Sequence, residues 1–362
     1  MEIIATIEKI RYEPFLNETL KSFELVDFDI NDAPTACLLN HNKTSFAISK
    51  WVSPKRTRSY PYERVYNTLG ISKKITIIPV VKDEGQAGDR DYIQWDTVSL
   101  MSLLDVFVIF AYYDKADKAG EKITNQQFNN SYVISKIKEI RNFHSSALHW
   151  NLVELKNIDA FLAKVKISYA KIEKETGVKL HNSKGIDNLR KKISKDMDKF
   201  KQFSREKAEQ AQAREVVTIQ PKEALSTATK AKLTITNHLG GEYYLTVDEV
   251  EEYEKELYLI EGKHSKNALL PSKSDIKDGL LKLMLYCNFA TAKIGKKKYE
   301  SLPILKLTST KLVGSINSTQ SQKLINAFSK KNKFSETQIL LVKNLFIEAN
   351  NNNFAVIIEY AK

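Results

Sequence analysis

Four consecutive apolar or aromatic residues, Leu257, Tyr258, Leu259 and Ile260, run straight into Glu261, Gly262 and Lys263. Side chains alternate faces along a strand, so this run is apolar on both faces and reads as a central strand of a covered sheet. Charges at the end of such a strand are costly unless they are paired or used. Upstream, the acid-rich stretch 242–253 reads as a partner strand. A tight turn at Glu254 and Lys255 makes the two a hairpin in which Glu261 faces Asp248 and Lys263 faces Thr246. Glu261 and Lys263 then share a face, and two carboxylates and an ammonium converge. Hard oxygen donors of this kind suit Mg²⁺, which is commonly held by one or two carboxylates and keeps several waters. Glu249, Glu251 and Glu252 lie close by, and a slip of one residue would exchange which acid faces the spot. On a solvated sheet face the same residues would be cross-strand ion pairs worth roughly 0.3 kcal/mol each.

Charge narrows the partner class. The 362-residue chain carries 56 Lys and Arg against 44 Asp and Glu, a formal +12, with a pI near 9.3. A field of that sign favours polyanions, nucleic acid first, through counterion release from phosphates. A hydrophobic content of 42% excludes global disorder. Cys37 and Cys287 are the only cysteines, which excludes a disulfide scaffold and a zinc finger and reads as two buried free thiols. No run approaches the roughly 18 apolar residues of a spanning helix, and charges occupy the N-terminus where a secretory segment would be apolar. The expectation is a cytoplasmic protein with no membrane partner.

The pattern divides into three regions. Residues 1–116 read as an α/β part with strands over 75–81 and 106–113, and, from the basic and aromatic stretch 49–66, as the site of DNA recognition. Residues 117–225 read as mostly helical and basic; over 184–207, nine basic residues face four acids. Residues 226–362 alternate in the order β, β, β, α, β, α, β. The fold class expected is α/β of the α+β type, with a mixed central sheet flanked by helices in the last region.

Asp248, a spacer of twelve residues, then Glu261, Gly262 and Lys263 behind a hydrophobic strand resembles the PD-(D/E)XK nuclease signature. The following segment, HSKNALLPSKSDIKDGLLKLMLY, is similar to the loop and amphipathic helix that type II restriction endonucleases carry after that motif. The resemblance covers roughly residues 230–309, and Val247 stands where the family's loosely kept proline would be. It implies a restriction-endonuclease-like αβββαβ core and Mg²⁺-dependent hydrolysis of double-stranded DNA at a specific sequence, leaving 5′-phosphate ends. It also implies a homodimer and a companion DNA methyltransferase. Asp248 and Glu261 would hold the metal, and Lys263 would orient or deprotonate the attacking water and stabilise transition-state charge. The alternatives are a non-catalytic nucleic-acid-binding protein and a repair or structure-specific nuclease.

DNA contacts are expected from two stretches. Residues 49–66 mix Lys50, Lys55, Arg56, Arg58 and Arg64 with Trp51, Tyr60, Tyr62 and Tyr66, a composition suited to gripping phosphates and reading base edges. Lys191, Lys192 and Lys195 lie on the polar helix and are expected on phosphates. His144 and His149 are five apart, off a common helical face, and read as core or capping residues. The KDEG sequence at 82–85 reads as a polar loop, and Lys296 to Lys298 beside Gly295 as a turn.

Overall fold

The computed structural model describes residues 1–41, 44–54, 64–181, 183–193, 198, 200–202, 204–206 and 231–361, with the backbone alone described at Lys192 and Ile193. The chain forms two compact units: a C-terminal unit of Met1–Glu18 with Lys207–Lys362, and an inserted unit, Thr19–Glu206. This division differs from the expected boundaries at 116 and 225. The first strand, β1 (Glu2–Ile7), pairs in parallel with a strand more than 200 residues away, an association no local pattern encodes.

The inserted unit is built on five strands in the order β2-β3-β4-β5-β8. These are β2 (Ser22–Glu24), β3 (Ala36–His41), β4 (Thr44–Lys50), β5 (Lys74–Pro79) and, further on, β8 (Val106–Ala111). Between β5 and β8 come the small hairpin β6 (Val81–Asp83) and β7 (Arg90–Tyr92), then helix α1 (Trp95–Leu103). All six residues of β8 are buried, as expected of a strand apolar on both faces. A hairpin of β9 (Tyr113–Ala119) and β10 (Lys122–Phe128) follows where helix was expected, because its mostly polar residues carry no helical stripe. Helices α2 (Asn130–Arg141), α3 (Ala147–Lys156), α4 (Ile158–Thr176) and α5 (Lys184–Ile193) follow. Helix α3 closes the outer edge of β8 with side chains. Asn151 accepts from the Val108 amide at 2.7 Å and donates to the Val106 carbonyl at 3.1 Å, and Trp150 donates to the Val108 carbonyl at 2.9 Å. Around Val106 and Val108 these side chains take the place a neighbouring strand would fill.

The C-terminal unit continues with β11 (Ala231–Asn237), β12 (Glu242–Val247), β13 (Glu249–Tyr253) and β14 (Glu256–Ser265). Helix α6 (Lys273–Tyr286), β15 (Phe289–Ile294), β16 (Lys297–Ser309) and β17 (Ser315–Asn317) come next. Helices α7 (Gln322–Lys331) and α8 (Glu336–Asn351) lead to β18 (Ala355–Tyr360). Nine strands form one mixed sheet along the path β12-β11-β1-β15-β16-β14-β13, with β18 and β17 joined through β16. The long β16 makes this possible: its first residues pair antiparallel with β15, and Glu300–Ser309 pair in parallel with β14. Glu348 of α8 ties down the N-terminal segment, accepting from Tyr12 Oη at 2.6 Å and from the amides of Phe15 and Leu16 at 2.8 and 3.2 Å.

Among the described residues, no helix is long and apolar enough to cross a membrane. Cys37 is buried as expected and Cys287 half-buried, and burial pushes their thiols up to about 11 and about 12. The turn expected at Gly295 is present, with that glycine in the left-handed region at φ 57° between β15 and β16.

Candidate active site

The hairpin register follows from its turn. Glu254 takes φ 53°, and Tyr253 pairs with Glu256, Val250 with Leu259 and Glu249 with Ile260. Asp248 is the next residue out, at the break between β12 and β13. There the chain leaves one ladder for another, since Thr246 is committed to Lys232 of β11. The expected pairing of Thr246 with Lys263 is therefore not made; Lys263 pairs instead with Leu307 of β16. Asp248 reaches β14 through its side chain, with Oδ2 accepting from the Gly262 amide at 2.9 Å.

Glu261 is completely buried, in the middle of a strand with β13 on one side and β16 on the other. Its Oε1 lies 2.9 Å from Lys263 Nζ and its Oε2 lies 3.0 Å from Lys282 Nζ. Lys263 Nζ also donates to Asp278 Oδ2 at 2.8 Å, and Lys282 Nζ to the Thr246 carbonyl at 3.3 Å. The charges thus run Lys282, Glu261, Lys263, Asp278, with Asp248 beside them. Asp278 and Lys282 both come from α6, four residues apart and so on one helical face. The helix comes this close because residue 279 is glycine. A Cβ there would stand 2.7 Å from Leu305 Cδ1, 3.4 Å from Lys263 Cε and 3.5 Å from Glu261 Cγ.

Burial and the charge of Glu261 push the Asp248 carboxyl up to about 7. Burial alone would raise Glu261 as well, but Lys263 and Lys282 outweigh it and hold that carboxyl below its ordinary value. Lys263 is held well above the usual ammonium value: burial opposes the charge, and Glu261 and Asp278 more than offset it. It is a fixed cation at neutral pH.

The donor set fits a hard divalent cation. Asp248 Oδ1 and Asp278 Oδ1 are buried with no hydrogen-bond partner among the described residues, which is costly unless a ligand meets them. Two carboxylates, Asp248 and Glu261, match the number that Mg²⁺ commonly takes from protein. Among the described residues no group of three or more His, Cys, Asp or Glu is placed to hold a metal by protein ligands alone.

Of the sequence candidates, Asp248, Glu261 and Lys263 come together. The three neighbouring glutamates do not join them. Glu249 meets Lys306 at 3.5 Å, Glu251 is exposed opposite Tyr258, and Glu252 accepts from Tyr299. Asp278 and Lys282 were missed; the signal available was an acid and a lysine four apart, and so on one face, in the helix that follows the motif. In the inserted unit, Lys55, Arg56, Arg58, Tyr60 and Lys195 lie outside the described residues, and Lys192 is described by backbone only. Lys191 is exposed on α5. Arg64 donates to the Lys50 carbonyl at 2.8 Å. Lys50, Trp51 and Tyr66 are buried, so both described ends of the basic aromatic stretch are core. His144 is exposed, and His149 stands 3.0 Å from Ser145 Oγ at the start of α3. Asp83, expected in a polar loop, instead ends β6 as a buried residue paired with His181.

The chain matches no protein-family model, no curated protein and no solved structure.

Proposed function

We propose that this protein is a Mg²⁺-dependent endonuclease of the PD-(D/E)XK type that hydrolyses double-stranded DNA at a specific sequence, as type II restriction enzymes do. The observation that carries the reading is the meeting of Asp248 with Glu261 and Lys263 at the sheet, next to orphaned carboxylate oxygens. The basic balance of the chain supports a polyanionic substrate.

In this reading Asp248 and Glu261 hold the metal, which supplies Lewis-acid activation of the phosphate and of water. Lys282 and Lys263 keep Glu261 ionised, and so competent as a ligand, inside an otherwise unfavourable burial. Lys263 acts as a cation: held protonated by Glu261 and Asp278, it orients the attacking water and stabilises the extra negative charge at phosphorus. Water adds to phosphorus, the bond to the 3′ oxygen breaks, and a 5′-phosphate and a 3′-hydroxyl result. Two copies are needed to cut both strands at one site, which makes a homodimer the working assembly.

The test is incubation of the full chain with plasmid DNA in Mg²⁺ and in EDTA. Discrete fragments formed only with metal are expected. Binding without cleavage in Mg²⁺ and Mn²⁺ would leave a non-catalytic nucleic-acid-binding protein.

A further inference from the structure

Three parallel strands of the C-terminal unit end level with one another. Ser265 of β14 pairs with Ser309 of β16, and Ser309 with Tyr360 of β18. The loops that leave them are tied together: Thr310 Oγ1 donates to the Lys266 carbonyl at 2.8 Å and Ser309 Oγ to the Ala268 carbonyl at 2.6 Å. The end of α7 joins the same rim. Asn332 Oδ1 accepts from the Val313 amide at 2.7 Å, and the Gly314 carbonyl accepts from the Tyr360 amide at 3.1 Å. Lys331 Nζ lies 4.0 Å from the place a Cβ on Gly314 would occupy.

The charge on this rim is of one sign. No Asp or Glu occurs between Glu261 and Asp275 or between Glu300 and Glu336, whereas the chain averages about one acid in eight residues. The same two stretches carry nine lysines and no arginine. Lys266, Lys311, Lys330, Lys331 and Lys333 are exposed, and none of the five meets a carboxylate among the described residues. The acids that border the rim are engaged elsewhere: Asp275 accepts from Ser272 Oγ at 2.6 Å, Glu359 lies 3.5 Å from Lys306, and Glu336 stands in the first turn of α8. Lys330 and Lys331 also complement the carboxyl end of α7, which accounts for neither Lys266 nor Lys311. Like charges gathered in this way repel one another and are relieved by a polyanion, with release of its condensed counterions.

We propose that the rim formed by residues 266–268, residues 310–314 and the end of α7 grips the phosphate backbone of a DNA duplex. Lys266 follows Lys263 by three residues, about 10 Å of extended chain, so a duplex on the rim lies beside the candidate active site. Lysines without an arginine fork act as point charges, which suits phosphates and carries no sequence readout. The inference rests on the DNA substrate of the proposed function and not on cleavage.

The test is binding of the full chain to short fluorescent duplexes of unrelated sequence, in EDTA and across a salt series. Lys266→Gln, Lys311→Gln and Lys331→Gln are combined in one variant. Lys255→Gln, Lys296→Gln and Lys298→Gln, exposed at the opposite ends of β14 and β16, form a control of equal charge. The rim variant should lose about a hundredfold in affinity at low salt on every duplex, with the salt slope lowered by about three. The control should change the slope by less than about one. A rim variant that binds like the parent, or a control that weakens binding as much, overturns the proposal and leaves a DNA substrate in place. Absence of duplex binding by the parent chain overturns both. All the substituted lysines are exposed, and an unchanged urea midpoint checks the fold. Should the triple variant fail to fold, the three single variants should each lower the slope by about one, and unchanged slopes in all three overturn the proposal.

Discussion

The Gly262 amide holds one oxygen of Asp248 at 2.9 Å, while the other oxygen is buried with no hydrogen-bond partner among the described residues. The carboxylate is thus fixed in orientation with one oxygen kept for a ligand. Asp248→Asn preserves an acceptor for Gly262 and removes the charge. Cleavage should fall about a thousandfold, the loss of several kcal/mol of metal-borne stabilisation. Plasmid cleavage across a Mg²⁺ series checks this; an Asp248→Asn enzyme that cuts normally would move the metal elsewhere.

Asp248 also sets a pH dependence. Its carboxyl rises from 3.8 to about 7 in the folded chain. Between those values the folded state keeps a proton that the unfolded state has lost, so stability falls as pH rises from about 4 to about 7 and levels off above. The total is on the order of 4 kcal/mol without metal. Asp248→Asn should flatten that slope in urea unfolding followed across pH in EDTA. Because a cation requires the ionised carboxylate, Mg²⁺-dependent cleavage should rise through the same range.

Glu261→Gln and Lys263→Ala should each abolish cleavage, while DNA binding measured in Ca²⁺ stays within about tenfold of the parent. Both residues act on metal and water and not on groove contacts. Retained cutting by both variants would place the reaction at another site.

Lys282 occupies the second oxygen of Glu261 at 3.0 Å. Lys282→Gln leaves a buried carboxylate with one fewer cation, at a cost of about 3 kcal/mol. A divalent cation can take the place the ammonium leaves beside that oxygen and keep the carboxylate ionised, so added Mg²⁺ should restore much of the lost Tm. An equal drop in Tm with and without Mg²⁺ would show that Lys282 and the metal do not act on the same carboxylate.

Much of the hairpin was legible because its determinants are local. A turn residue at Glu254 and an apolar run at 257–260 are enough to set Asp248 beside Glu261. The partners from α6 were not. Their approach depends on Gly279 fitting against Leu305, a contact between a helix and a strand that sequence spacing does not encode. The β9–β10 hairpin escaped for a different reason. Its tip is exposed on both faces, so neither the period of a strand nor that of a helix marks it. The pairing of β1 with β11 and the burial of Asp83 against His181 likewise join residues far apart in the chain.

Arg64 and Lys191 were grouped in sequence as DNA contacts, and the structure gives them different surroundings. One nitrogen of the Arg64 guanidinium is bonded to the Lys50 carbonyl at 2.8 Å, and Lys50 in turn binds the Ile30 and Ala33 carbonyls at 2.7 and 2.6 Å. Arg64→Ala should therefore cost about 1–3 kcal/mol of stability, since it leaves a charge-assisted acceptor unmet. Lys191 is exposed on α5, and Lys191→Ala should leave the urea midpoint unchanged. If it touches phosphate, its loss should weaken cognate and scrambled duplexes alike and lower the salt slope by about one. Urea unfolding and a salt series of duplex binding in Ca²⁺ separate the two roles. A stability loss for Lys191→Ala, or a cognate-only binding loss in a fully stable Arg64→Ala, would reverse the assignment.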